Sequence, residues 1–186
     1  MGMRQLVLIL LSLFFISNLA KAAMTAPSGV EYYVPVSLAY NSLATYPNPF
    51  QQMITVNALN YTSYIAYNGN LANFEFFYAN GTTIPAWIES NNSNTLTIWA
   101  KVSNTIFANG ANTIYLGFAS KTTNLLSSSG TTGIGEAPQL SSTYAQYDDG
   151  ASVFNNYFSG ASLSGWTTAG TAGQNTSAPS GNPAFG

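Results

Sequence analysis

From Glu31 to Phe118 the chain runs as short stretches of Val, Ile, Phe, Tyr, Trp and Thr, broken by clusters of Asn, Gly, Pro and Ser. Stretches of this kind, alternating with period two and bounded by turn residues, are strands. The pattern predicts strands near residues 32–39, 52–57, 73–78, 83–90, 96–102 and 113–118, a helical turn at 60–65 and a further strand at 143–147. Regular strand–turn spacing predicts an all-β antiparallel sandwich, jelly-roll or immunoglobulin-like. The chain has no cysteine, so no disulfide can staple it, and its length is enough for a core that needs none.

The hairpins can be registered by hand. Asn80-Gly81 reads as a two-residue type I′ turn, because both residue types tolerate positive φ. That turn sets Phe77 opposite Ile84 and Glu75 opposite Ala86. A five-residue loop over 91–95 sets Ile88 opposite Ile98, Ala86 opposite Ala100 and Trp87 opposite Trp99. One face of the three-stranded unit then carries Phe77, Ile84, Ile88, Ile98 and Val102 with Glu75; the other carries Phe74, Phe76, Trp87 and Trp99 with Glu89 and Lys101. Both faces are apolar, so the sheet should be covered on both sides. On such a face, with no cation near, Glu75 should titrate above the usual carboxylate range unless it finds a partner.

The start of the chain has another character. Arg4 precedes an apolar run from Leu6 to Ile16, and Ala20-Lys21-Ala22 follows. Charged start, apolar middle and small-x-small exit make an export signal, with cleavage expected after Ala22. The apolar run is shorter than the roughly 20 residues of a spanning helix, so no transmembrane span is expected in the mature chain. The domains expected are a signal peptide at 1–22, a β-sandwich at 23–155, and a Gly/Ser-rich tail or truncated start of a second β module at 156–186.

The mature chain would hold two lysines (Lys101, Lys121) against six carboxylates and no histidine or arginine. Nucleic-acid binding needs clustered cations and is excluded. Thiol chemistry and thiolate metal sites are excluded with the cysteines. So few ionisable groups also predict tolerance of acid.

Four ordered motifs carry a family resemblance: Phe76-Phe77-Tyr78-Ala79-Asn80-Gly81-Thr82, Ile84-Pro85-Ala86-Trp87-Ile88-Glu89-Ser90, Ile98-Trp99-Ala100-Lys101-Val102 and Thr113-Ile114-Tyr115-Leu116-Gly117-Phe118. Over roughly residues 31–155 the chain resembles the domain of unknown function 2341 family. It is most similar to secreted archaeal members in Pro49-Phe50-Gln51-Gln52-Met53 and Tyr147-Asp148-Asp149-Gly150. The resemblance implies an extracellular or surface all-β module, often followed by a concanavalin-like jelly roll, and it assigns no catalytic residue. The stretch from Phe158 to Trp166 looks like the opening of such a jelly roll.

Three constellations could carry function. Trp87 and Trp99, flanked by Glu89, would make a stacking platform for sugar rings; the competing reading is core packing on an apolar face. Asp148 and Asp149 could serve a Ca2+ ion, although adjacent carboxylates diverge along a strand and Asp149-Gly150 reads equally as a turn. Asn60, Asn80, Asn91 and Asn175 begin N-glycosylation sequons. Glu75 and Glu89 fall on opposite faces, which argues against a paired-carboxylate glycosidase. The reading that follows is a non-catalytic, secreted or cell-surface module with a structural or adhesive role, its partners other surface subunits or glycans. The alternative is a carbohydrate-binding module of a larger secreted protein.

Overall fold

The computed structural model describes residues 24–38, 47–65, 72–103, 113–129, 133–155 and 157, together with the backbone of 174–175 and 184–185. The expected export signal and its cleavage site at Ala22 lie outside the described residues, as does most of the expected tail.

Among the described residues eight strands build two sheets: β1 (Val30–Ser37), β2 (Phe50–Asn57), β3 (Phe74–Phe77), β4 (Thr83–Ile84), β5 (Ala86–Asn92), β6 (Thr95–Val102), β7 (Thr113–Ala119) and β8 (Gly135–Glu136). One sheet has the order β1-β7-β3-β4, the other β2-β6-β5-β8. Every pairing is antiparallel except β5 with β8. The protein is the expected all-β sandwich. A short pair, β9 (Gln174–Asn175) and β10 (Ala184–Phe185), follows.

Phe74, Phe76, Ile84, Ile88, Ile98, Val102, Ile114, Leu116 and Phe118 fill the space between the sheets, all buried. The β6 sequence TLTIWAKV shows why. Its even-numbered side chains Leu96, Ile98, Ala100 and Val102 are buried while the odd-numbered ones are partly exposed, the period of a strand with one core face.

The expected strand at 83–90 is two strands in two sheets, split at Pro85. Proline has no N–H to give a ladder, but the Pro85 carbonyl still accepts from Lys101 N–H at 2.8 Å. The expected type I′ turn at Asn80-Gly81 is also corrected. Of its residues only Gly81 has positive φ, +86°. Gly81 N–H donates to the Tyr78 carbonyl, and Tyr78 N–H donates to the Thr82 carbonyl. The loop is therefore three residues long and closes on a left-handed glycine. One extra residue moves the register by one, to Phe76 opposite Ile84 and Phe77 opposite Thr83. A one-residue slip exchanges the faces, so Phe74 and Phe76 join Ile84 and Ile98 in the core while Phe77 turns outward.

The next hairpin reverses that pattern. Its turn is the tight one, Ser93-Asn94, with φ of 49° and 71°, and a bulge at Glu89 takes up the difference. The pairs Ala86–Ala100, Trp87–Trp99 and Ile88–Ile98 stand as expected. The expected helical turn is a 3-10 turn at Ala58–Tyr61. The expected strand at 143–147 is a run of turns instead, with Ala145 at φ 60°.

Replacing Phe76, fully buried in the core, by Ala should lower unfolding free energy by about 3–5 kcal/mol in urea titrations. Met53→Ala, on an exposed position, should stay within about 0.5 kcal/mol of the parent. Equal losses would contradict this placement of the core.

Candidate functional site

The tryptophan pair lies on the outer face of the second sheet, beneath a clasp formed by the segment around α1 (Gly150–Val153). Phe154 meets Trp87 edge-on at 5.8 Å and Trp99 at 5.7 Å, and Tyr157 meets Trp87 at 5.6 Å. Val153 is fully buried against them, and Trp87 is left only 9% exposed. Gln51 on β2 donates its side-chain amide to the Val153 carbonyl at 2.9 Å, tying the clasp down on its far side.

Asp148 is the polar centre of this clasp. Its Oδ1 accepts from Trp87 Nε1 at 3.3 Å, the Tyr157 hydroxyl at 2.7 Å and Gly150 N–H at 3.2 Å. Burial, and the Asp148 carboxylate that accepts from it, push the Tyr157 phenol well above its ordinary value, so it stays a donor at any physiological pH. Gly150 is required here for close approach, because a Cβ would land on the Tyr157 ring.

Four other carboxylates are also engaged. Asp149 accepts from Ser152 Oγ, Glu136 from Ser141 Oγ and Glu89 from Trp99 Nε1 at 3.0 Å. Glu75 accepts from Gly133 N–H at 3.1 Å and from the Thr83 side chain. Burial nonetheless raises the Glu75 and Glu136 carboxyls above their ordinary value of 4.5, because these neutral donors only partly offset lost hydration. For Glu75 this is the direction its apolar face predicts. Among the described residues no group of three or more His, Cys, Asp or Glu is placed to hold a metal ion. The adjacent carboxylates of Asp148 and Asp149 instead serve donors of their own clasp. Asn60, Asn80 and Asn91 are exposed; the Asn175 side chain lies outside the described residues.

Sequence reasoning missed a second aromatic group. At the β1 edge Tyr32 is 54% exposed and Tyr64 37% exposed, with ring centroids 4.8 Å apart and planes tilted by 47°. Tyr64 stacks at 5.9 Å on the buried Phe118 ring. Glu31, Tyr32, Tyr33, Val34, Tyr64 and Phe118 line a cleft of about 260 Å³. The β1–β7 register shifts between Val30 and Tyr32, a bulge of the kind that re-aims side chains at sheet edges. Tyr64 is held from behind: the fully buried Asn73 donates to the Tyr64 and Ala119 carbonyls, each at 2.8 Å. Lys121 Nζ donates to the Thr62 carbonyl at 2.9 Å. Among the described residues neither the Glu31 carboxylate nor the Tyr32 and Tyr64 hydroxyls have a hydrogen-bond partner.

Fold and site together define an all-β sandwich module with a buried Trp87, a partly covered Trp99 and an open tyrosine cleft. The chain belongs to the domain of unknown function family DUF2341, whose model matches residues 70–169. It is similar to "Uncharacterized protein 562" of Sulfolobus islandicus rod-shaped virus 1, with 38% identity over 143 residues, covering 73% of this chain. The aligned stretch is 24% of that relative's length. No solved structure matches the chain. The family match runs from β3 through α1 and includes Phe118, whereas Glu31, Tyr32 and Tyr64 lie outside it.

Two outcomes follow. Gly150→Ala should lift the Tyr157 ring from Trp87, red-shift tryptophan emission and cost about 1–3 kcal/mol; unchanged emission would argue against the clasp. The second concerns pH. Glu75 and Glu136 bind protons more tightly folded than unfolded, so their contribution favours the fold as pH falls from the raised folded values toward 4.5 and is level below. Melting temperature should therefore be higher at about pH 5 than at about pH 8, and Glu75→Gln should flatten the difference.

Proposed function

We propose that this protein is a non-catalytic, exported β-sandwich that works by contact, as a structural or adhesive module in a surface assembly. The observation that carries this reading is the use made of its acids. Five of the six carboxylates accept hydrogen bonds from the protein's own side chains or backbone. A general acid or nucleophile needs to face substrate with a matched partner, and these five are engaged by the protein's own donors, with Glu89 alone among them exposed. Tyr32, Tyr33 and Tyr64, three of the five exposed large hydrophobics among the described residues, gather instead at one edge. Solvent-facing aromatics in one patch are what a contact surface is made of.

A second reading, carbohydrate binding, draws support from that same tyrosine edge. The expected Trp87–Trp99 platform supports it less, since Phe154 and Tyr157 occupy its face.

Protease treatment of intact producing cells tests export and surface placement. The protein should be shaved from intact cells or recovered from the medium, while a cytoplasmic marker is spared. Full protection until lysis would contradict the proposal.

A further inference from the structure

We infer that the cleft of Glu31, Tyr32, Tyr64 and Phe118 holds one neutral pyranose ring of a glycan. The inference deepens the contact reading by naming a ligand class, and it rests on that reading.

Size comes first. A cleft of about 260 Å³ is at the small end of ligand sites and suits a single sugar ring. Shape comes next. With centroids 4.8 Å apart, the Tyr32 and Tyr64 rings touch each other, so a sugar must lie across them rather than between them. The tilt of 47° makes a shallow trough that can follow the axial C–H face of a pyranose.

Chemistry decides the class. A sugar presents an apolar face ringed by hydroxyls, and the cleft offers the complement. Its floor is aromatic, and its polar groups are the Glu31 carboxylate, an acceptor, and the phenols of Tyr32 and Tyr64, which donate and accept. Among the described residues none of the three is satisfied by the protein, in a fold that leaves no buried side-chain polar atom unpaired. Among the described residues Glu31 is also the one side-chain carboxylate with no hydrogen bond to the protein. An anion at the rim disfavours acidic sugars, and among the described residues no lysine lines the cleft to offset it. The aromatic part of the site is preorganised, because Asn73 and Lys121 hold the backbone of the Tyr64 loop and Tyr64 stacks on Phe118; this lowers the ordering cost of binding.

Saturation-transfer NMR on the full chain tests this with methyl α-mannopyranoside, methyl β-glucopyranoside, methyl β-N-acetylglucosaminide and, as the acidic control, sialyllactose. At least one neutral pyranoside should receive transfer on its axial protons, with a Kd on the order of millimolar. Tyr32→Ala and Glu31→Gln should weaken it about tenfold or more, Tyr32→Phe by only about threefold, and Trp99→Ala not at all. Near-UV circular dichroism establishes that each variant is folded. No transfer to any neutral pyranoside overturns the inference. So does binding lost in Trp99→Ala but kept in Tyr32→Ala, or a preference for sialyllactose. Dimerisation abolished by Tyr32→Ala, without sugar transfer, would overturn it in favour of a second copy of the chain. If the sugar fails while the protein is still shaved from intact cells, only the glycan assignment falls. Release of methanol from a pyranoside in proportion to protein would bring down the contact reading itself.

Discussion

Pro85 divides one long apolar run so that β4 pairs in one sheet and β5 in the other. Both stretches keep their apolar side chains pointed at the same core, Ile84 from one layer and Ala86 and Ile88 from the opposing one. Because Lys101 still donates to the Pro85 carbonyl, the crossing leaves no backbone group stranded. The sandwich depends on this crossing. Were residues 83–90 one strand, Phe74, Phe76 and Trp87 would compete for a single face. Instead the phenylalanines fill the interior and the tryptophans are turned outward.

Turning outward creates a second demand, because each sheet now has an apolar outer face. The second sheet meets it with the Asp148 clasp, which closes Phe154 and Tyr157 over the tryptophans. On the first sheet Phe77 stacks with Tyr115 at 5.5 Å and meets Tyr33 edge-on at 6.2 Å, while Glu75 is capped by Gly133. Glu75 and Glu136, both buried, accept from the neutral donors Gly133, Thr83 and Ser141. With only four Lys and Arg in the whole sequence, ion pairs have few cations to draw on. Among the described residues the exposed aromatic rings are those of the β1 edge, Tyr32, Tyr33 and Tyr64.

Strand existence was legible in the sequence because period-two alternation is strong in stretches such as Thr95–Val102. The Trp87–Trp99 pairing was legible too, although for a different reason than the loop length suggested: the tight turn at Ser93-Asn94 and the bulge at Glu89 cancel. Asn80-Gly81 misled, since the dipeptide fits either a two-residue turn or the end of a three-residue one, and one residue inverts every side chain of β3. Pro85 was the available signal that a single strand could not span 83–90. The clasp rests on contacts between residues 87 and 157, a range that local patterns do not report. The tyrosine cleft is still less visible. It joins β1, the turn after Ala58–Tyr61 and β7 through a bulge that no dipeptide announces.

The central claim is that the protein's working aromatic surface is the tyrosine edge and that the tryptophan pair is structural. Hydroxyl-radical footprinting of the native protein, read peptide by peptide, measures both at once. Rapid oxidation at Tyr32 and Tyr64, with Trp87 and Tyr157 protected until the protein unfolds, is the result this account requires. Rapid oxidation of Trp87 in the folded protein, with Tyr32 and Tyr64 shielded, would contradict it.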